Sequence, residues 1–563
     1  MTTDPRSFFI LYALENAVRH QNIPKAGSVL GALLGAHPEF RTKAKELTGI
    51  LAEVLAEVEA LSPEEREARL REEAPEMLAK KEKKEKKTGL APLDDVPEGG
   101  VVVRFAPNPS GPLHLGHARA AYLNDYYVRE YGGRYVIRIE DTDPKRIEPE
   151  NYGLLMEDLE WLGLKNTEYF YQSDRLDIYY EYGRKLIEMG GAYLCTCDSE
   201  TFRELKNSKK PCPCRDRAVE ENITLWEQML AGEFAEGTIA VRVKTEIDHP
   251  DPAMRDFAIF RIVASPPHPR VEARVYPMMN FSVTVDDHLL GMTHVIRGKD
   301  HIANAKRQRY IYEYFGWTEP AFFHYGRMSV GDVVLSTSAM KAGIAEGTYS
   351  GWDDIHLGTL KAIARRGIQA EAVRKAMVLI GMGQTDITFS WENLFSANKE
   401  LVDPVAHRYF FVPDPVTCTI AGAKPATAII PKHPNDASAG VRELSFEQKV
   451  CVARSDLEGV TMVRLKDLFN VTVGKSEDGR FTLTYAGDSL DEVRAAKGRI
   501  IQWLPDEETI PCTLLRPDGD MKGVCEPAVA LEENGVIQFE RIGFARVDAV
   551  DKKHGVTAYF AHR

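Results

Sequence analysis

The sequence predicts a multidomain protein: an α/β domain of the doubly wound, Rossmann-like kind, a helical segment before it and an all-β region after it. Three observations carry this. Val101-Val102-Val103 is a β-branched run of the sort buried in a parallel sheet, ended by Pro107, Pro109, Gly111 and Pro112 and followed by a helical stretch up to Gly132-Gly133. Residues 1 to about 75 are rich in Ala, Leu and Glu, with apolar positions at helical spacing, as in Thr48 to Val58. The last 150 or so residues hold short β-rich runs (Val416 to Ile420, Lys449 to Ala453, Phe481 to Tyr485, Val536 to Val547) broken by Gly, Pro and Asp, the pattern of barrels or sandwiches.

A chain of 563 residues is too long for one core. Apolar content is 44%, and no apolar run approaches the ~20 residues that span a bilayer. The opening residues MTTDPRSFF lack a basic n-region followed by an apolar stretch, so no signal peptide is expected and the cytoplasm is the default location. A formal charge of -13 argues against indiscriminate nucleic-acid binding, although a local basic track on an acidic body remains compatible with it.

In chain order, Ser62-Pro63-Glu64-Glu65 is a capping box with proline at the first helical position, so a helix starts there. Lys80 to Lys87 is a charge run leading into the linker Ala91 to Gly100, and reads as a solvated tether. The turn after the Val101 strand delivers His114-Leu115-Gly116-His117 to a helix N-terminus, where unpaired N–H groups and the dipole favour phosphate. Two imidazoles one turn apart can donate to phosphoryl oxygens, and the glycine between them admits a flat ligand, so the stretch suits a nucleoside triphosphate.

Tyr135 to Ile139 is the second strand, with Glu140, Asp141 and Asp143 at its carboxyl end, where such sheets bind ligands. Cys195-Thr196-Cys197 and Pro211-Cys212-Pro213-Cys214 form two C-x-C pairs that could converge four thiolates on a structural zinc. Disulfides are the weaker alternative in a reducing compartment. Cys418, Cys451, Cys512 and Cys525 read as core thiols. Arg255 to Val263 reads as a strand. Taken alone, Asp286-Asp287 is a pair on a helix surface and His294 a satisfied core histidine. Helical patterns run from Leu360 to about Gly381.

RFAPNPSGPLHLGHARAA, with Arg138-Ile139-Glu140-Asp141-Thr142-Asp143-Pro144 one helix later, resembles the class I aminoacyl-tRNA synthetases, glutamyl/glutaminyl subgroup. The β-rich tail is similar to that of the archaeal and eukaryotic type of glutamyl enzyme. The resemblance covers about 100 to 563 and implies ATP-dependent attachment of L-glutamate to tRNA(Glu), with tRNA(Gln) as a second candidate acceptor, through an adenylate. It implies Mg2+ as cofactor beside ATP, and the chain is taken as a monomer. By resemblance, Arg104, Ala106, Asn108, Glu140, Met279 and Arg297 line the glutamate site. Pro107, His114, Gly116, His117, Ser336, Ser338 and Lys341 bind ATP, with His114, His117 and Lys341 catalytic. Zinc on Cys195, Cys197, Cys212 and Cys214 falls in an acceptor-binding insertion.

Arg297 favours glutamate over glutamine, because a guanidinium pairs with a carboxylate and gains little from a neutral amide. Leu335-Ser336-Thr337-Ser338-Ala339 resembles the family's mobile LSTSK loop, but alanine stands where the lysine is usual, and Lys341 is the candidate substitute. The alternatives are a glutaminyl enzyme and a catalytically impaired tRNA-binding paralogue. The resemblance also gives the lysine run a second reading, an arm for RNA phosphates. The expected domains are 1–90 (helical, with the lysine-rich linker), 100–190 and 271–350 (the two catalytic halves, the second with the signature loop), 191–270 (insertion), 351–400 (helical connector) and 401–563 (anticodon-binding β-barrels).

Overall fold

Helical periodicity at the start of the chain and strand–helix alternation from residue 100 become two separate units, residues 1–88 and 89–563. The computed structural model describes residues 4–20, 22–37, 40, 47–78, 89–331, 333–477, 479–551 and 553–563. The lysine run lies outside the described residues. In the first unit, helices α1 (Pro5–His20), α2 (Ala26–Ala36), α3 (Thr48–Glu59), α4 (Pro63–Glu73) and α5 (Pro75–Leu78) enclose Phe9, Leu14, Leu33, Val54 and Val58. The capping box forms: Ser62 Oγ accepts from the Glu65 N–H at 3.2 Å and Glu65 Oε2 accepts from the Ser62 N–H at 2.8 Å.

The second unit opens with β1 (Val101–Phe105), α6 (Leu115–Tyr131), β2 (Gly133–Ile139), α7 (Pro149–Leu162) and β3 (Thr167–Tyr171). The strands form a parallel sheet in the order β1-β2-β3, and the valines of β1 pair with Gly133 to Tyr135. After α8 (Leu176–Glu188) the chain makes an antiparallel four-stranded sheet from β4 (Ala192–Cys195), β5 (Ala240–Val243), β6 (Ala258–Ile262) and β7 (Val275–Pro277), with α9 (Ser199–Asn207) and α10 (Val219–Leu230) inserted after β4. This layer has its own core around Trp226, Phe260 and Phe281.

The chain then returns through α11 (Met279–Leu289), β8 (His294–Gly298), α12 (Ile302–Phe315) and β9 (Ala321–Tyr325), with β8 and β9 parallel. Thr293, at the start of β8, donates its N–H to the Val102 carbonyl and its Oγ1 accepts from the Val102 N–H, both at 2.9 Å. β8 therefore lies beside β1, with β2 and β3 on the other side. Strand order reverses between β1 and β8, which opens a crevice at their carboxyl ends.

Beyond β10 (Met328–Ser329), residues 337–345, expected as a loop, form helix α13 (Thr337–Ala345). Ser336 caps it by accepting from the Ala339 N–H at 3.4 Å, and Ala339 to Ala342 are good helix formers. Helices α14 (Leu360–Arg365) and α15 (Ala370–Ile380), the short strand β11 (Ile387–Thr388) paired with β10, and α16 (Trp391–Val402) follow.

The remaining residues build two seven-stranded sheets and a two-stranded antiparallel sheet, Ala426–Pro431 with Val441–Phe446. In one large sheet, Arg408–Tyr409 and Phe411–Pro413 lie at opposite edges; in the other, Arg499–Ile501 and Leu504–Pro505 do. Segments adjacent in sequence can sit at opposite edges only if each sheet curls round on itself, which gives the barrel form. An ion cluster joins all three sheets: Arg442, on the two-stranded sheet, meets Glu526 and, at 2.6 Å, Glu540, which both follow strands of one large sheet, and Glu540 also holds Lys466, which follows a strand of the other. Glu526 Oε1 accepts from the Phe410 N–H at 2.6 Å as well. Removing one partner strands the other in a dry site, so Glu526→Ala should destabilise the C-terminal transition in a denaturant titration by about 3–5 kcal/mol.

Candidate active site

At the switch point lies a cavity of about 540 Å³. Arg104, Ala106, Pro107, Asn108, His114, Gly116, His117, Glu140, Met279 and Arg297 all line it. They come from the ends of β1, β2 and β8 and the starts of α6 and α11, so positions up to 193 residues apart converge through strand order alone.

His114 is the N-cap of α6, and its Nδ1 accepts from the Gly116 N–H at 3.1 Å. His117 Nδ1 accepts from the His114 N–H at 3.2 Å, and the rings lie 3.8 Å apart. Burial pushes His114 down to about 4; burial, then His114 itself, pushes His117 well below the ordinary histidine value. Both imidazoles are therefore neutral near pH 7. Because each Nδ1 accepts, the proton sits on Nε2, and both rings are fixed as Nε2–H donors.

The unpaired N–H groups anticipated at this helix start are occupied. Leu115 donates to the Gly358 carbonyl, Gly116 to His114 Nδ1, and His117 and Ala118 to the His114 carbonyl. Anion binding here falls to the imidazoles and the helix dipole. Gly116 also has a different reason from ligand access: a Cβ there would sit 2.9 Å from the His114 ring.

The turn carrying the histidines is braced from two sides. Asp158, buried on α7, accepts from the Leu113 N–H at 2.6 Å, and Leu360 donates to the Leu113 carbonyl at 2.9 Å.

Under the cavity runs a chain of buried charges. Asp287 takes Arg138 at 2.6 Å and Arg104 at 3.2 Å, and Arg138 continues to Glu140 at 3.1 Å. Asp286 accepts from Arg175 at 2.8 Å, Tyr179 at 2.7 Å and Gln172 at 3.0 Å. This corrects the reading of Asp286-Asp287 as a surface pair: both are almost fully buried. Burial alone would raise the Asp287 carboxyl, but Arg104 and Arg138 outweigh it and hold it below the ordinary range. His294 is a satisfied core histidine, bonded to the Asp94 carbonyl at 3.0 Å and to Thr293 Oγ1 at 2.8 Å.

Unlike Arg104 and Arg138, Arg297 forms no salt bridge among the described residues; its Nε, like those of Arg119 and Arg138, is buried without a hydrogen-bond partner. Burial, then Arg104, lowers it to about 9, so it stays charged near neutrality.

Ser336, Ser338 and Lys341 do not line the cavity. Ser336 caps α13, Ser338 is exposed, and Lys341 pairs with Glu148. The helix nevertheless abuts the histidine turn, since a Cβ on Gly111 would sit 2.6 Å from Thr337. Residues not singled out from the sequence also line the cavity: Arg119, Asn124, Asp300, His301, Tyr325 and Arg327. Their signal was position, at the carboxyl ends of β8 and β9 and on the second and third turns of α6.

Cys195, Cys197, Cys212 and Cys214 converge, with their sulfurs all within 4.8 Å of one another. The 195–212, 197–212 and 197–214 separations are 3.5, 3.3 and 3.9 Å, close to the ~3.8 Å edge of a tetrahedron with Zn–S near 2.3 Å. Soft donors at this spacing fit a four-coordinate zinc.

Residues 100–404 match the family "tRNA synthetases class I (E and Q), catalytic domain", and residues 406–486 and 500–548 match two anti-codon binding domains of the same class. The chain is 60% identical to a glutamate–tRNA ligase of Methanoculleus marisnigri over 563 residues, covering 100% of both. It is 58% identical to one from Methanocorpusculum labreanum, covering 100% of this chain and 99% of the relative. A solved glutamate tRNA ligase from Elizabethkingia meningosepticum, 23% identical with a TM-score of 0.38, aligns with 55% of this chain and 70% of its own.

The unfolded chain binds a proton at His114 near 6.5 and the folded chain only near 4, so this site's contribution to stability falls as pH drops from 7 towards 4. Denaturant titrations across that range should show His114→Gln losing this part of the pH slope.

Proposed function

The chain belongs to the class I tRNA synthetases of the E and Q type, and from that premise we propose that it attaches L-glutamate to tRNA(Glu) through a glutamyl-adenylate. The observation that carries glutamate is Arg297, a buried guanidinium in the cavity wall with no carboxylate of its own. Glutamate's side chain supplies the missing charge, whereas glutamine's amide would leave it unbalanced. Glu140, at the cavity wall, holds the ligand ammonium. Arg104 and Asn108 complete the amino-acid side, with Ala106 and Met279 as its apolar walls.

The substrate α-carboxylate attacks the α-phosphorus of ATP; the new O–P bond forms as the bond to the β-phosphate oxygen breaks, and diphosphate leaves with the electron pair. A ribose hydroxyl of the terminal tRNA adenosine then attacks the acyl carbon, and AMP departs. No side-chain nucleophile takes part, and the protein positions groups and stabilises charge. His114 and His117 serve through Nε2–H donation. Pro107 and Gly116 shape the nucleotide side of the cavity. Ser336, Ser338 and Lys341 act from α13, which requires that helix to shift from the Glu148 contact.

Magnesium neutralises the phosphates when bound. The four cysteines hold a structural zinc in the insertion over residues 191–270, which receives the tRNA acceptor end. The sheets over 401–563 read the anticodon, which decides whether tRNA(Gln) is also charged. Among the described residues no helix is long and apolar enough to cross a membrane. We place the reaction in the cytoplasm and treat the chain as a monomer.

The test is attachment of radiolabelled glutamate and, in parallel, glutamine to total tRNA with ATP and magnesium. Glutamate transfer alone is expected; glutamine transfer sinks the argument from Arg297. Arg297→Ala should raise the KM for glutamate at least about 100-fold. His117→Ala should slow adenylate formation about 10²–10³-fold with glutamate KM little changed; an unchanged rate removes it from the mechanism. Ala339→Lys distinguishes a dispensable loop lysine, where both forms are active, from a crippled chain, where only the variant is. Elemental analysis should find one zinc per chain, lost in Cys212→Ser.

A further inference from the structure

The way Arg297 is held is unusual for a buried cation. Its one side-chain hydrogen bond among the described residues runs from Nη2 to Gln308 Oε1 at 2.8 Å, and its guanidinium carbon lies 5.1 Å from the centre of the Phe322 ring. Gln308 sits on α12, 1% exposed, and its Nε2 has no hydrogen-bond partner. A guanidinium only donates, so the amide must turn its oxygen to Arg297, and its NH2 is left buried and unsatisfied. That arrangement costs free energy which a methionine of similar volume would avoid. A carboxylate at the same place would pair with the guanidinium far better. The chain has neither residue there.

We infer that Gln308 is a specificity-determining positioning residue, which fixes the Arg297 guanidinium through a neutral oxygen and so leaves its charge for the side-chain carboxylate of the amino-acid substrate. The inference rests on the proposed glutamate reading of the pocket. Nearby arginines show what a protein carboxylate would do instead. Arg104 is tied to Asp287 and Arg138 to both Asp287 and Glu140, which leaves their charge compensated before any ligand arrives. The contrast appears in their proton affinities: burial works against both Arg138 and Arg297, but the flanking carboxylates raise Arg138, whereas Arg297 falls. Tyr312, one turn beyond Gln308 on α12, also has a buried hydroxyl without a partner, and the carboxylates that act on Arg297, Asp287 and Glu140, are already paired with Arg104 and Arg138 and do not offset its burial. The arginines in the cavity wall are thus held differently: Arg104 and Arg327 are closed by carboxylates, Arg119 by the Gly326 and Gly381 carbonyls, and Arg297 is left open by an amide.

The test compares tRNA charging with labelled glutamate and glutamine by the full-length wild-type protein, Gln308→Glu and Gln308→Met. In Gln308→Glu an internal ion pair competes with the substrate, so glutamate KM should rise about 100-fold with kcat little changed, and the preference for glutamate over glutamine should collapse. In Gln308→Met the charge stays available but the orienting bond is lost, so KM should rise about 3–10-fold with the preference kept. A Gln308→Glu protein with wild-type KM overturns the inference. So do equal losses in both variants accompanied by equal falls in Tm, which would indicate packing alone. If Gln308→Glu does not fold, Gln308→Met decides: an unchanged KM, or a lost preference for glutamate, overturns the role. Failure of the wild-type protein to charge glutamate instead refutes the underlying reading of the pocket, whatever the variants do.

Discussion

The structure of the site depends on the pairing of Asp287 with Arg104 and Arg138 beneath the cavity floor. Ions this deeply buried are tolerable only when paired and hydrogen-bonded. Each member therefore has few alternatives, and the strands and helix that carry them are locked in relative position. Asp287 lies on α11, Arg104 on β1 and Arg138 on β2, so one carboxylate clamps the two halves of a domain whose sequence is interrupted by an insertion between them. Glu140 inherits its place from the same lattice through Arg138. The lattice explains why a wall made from distant segments can hold a small polar ligand rigidly.

The histidine pair rests on a second local constraint. The side chains of His114 and His117 fold back on the backbone of their own turn, which settles their protonation and their tautomer together. That turn is in turn held by Asp158 on α7 and by the segment 358–360. The backbone before α14 thus reaches the histidines directly, while Arg366, just after that helix, donates to the Phe560 and Ala561 carbonyls. A short piece of chain therefore touches both the histidine side of the cavity and the C-terminal sheet that holds Phe560 and Ala561.

Charge is distributed unevenly by design of the contacts. Carboxylates close Arg104 and Arg138, the Gly326 and Gly381 carbonyls hold Arg119, and Arg297 is left with an amide and a ring. In a medium that solvates charge poorly, an uncompensated guanidinium is a strong selector for a carboxylate ligand. The cysteine cluster applies the same logic in soft donors: four sulfurs gathered at the spacing of a tetrahedron have more to gain from a cation than from each other.

Local signals settled a good deal of this protein in advance. The valine run, the capping box at Ser62, the alternation after Gly100 and three of the short β runs near the carboxyl end correspond to elements with nearly the expected bounds, because they follow from periodicity and turn chemistry within a few residues, whereas the run Val536 to Val547 folds into two antiparallel strands, Val536–Phe539 and Gly543–Asp551. Ten cavity residues were legible because they fall in stretches that resemble a known family, and the structure sets them at strand ends and helix starts, where an open α/β sheet exposes its ligands. What sequence could not decide were matters of pairing at a distance. Whether Asp286-Asp287 faced water or arginine, whether the first N–H groups of α6 were free, whether residues 337–345 were loop or helix, and which arginine would be left without a carboxylate all depended on segments far away in the chain. Spacing determines which face of an element a residue occupies; only tertiary packing determines what that face meets, because the energy of a buried charge or donor resides in its partner.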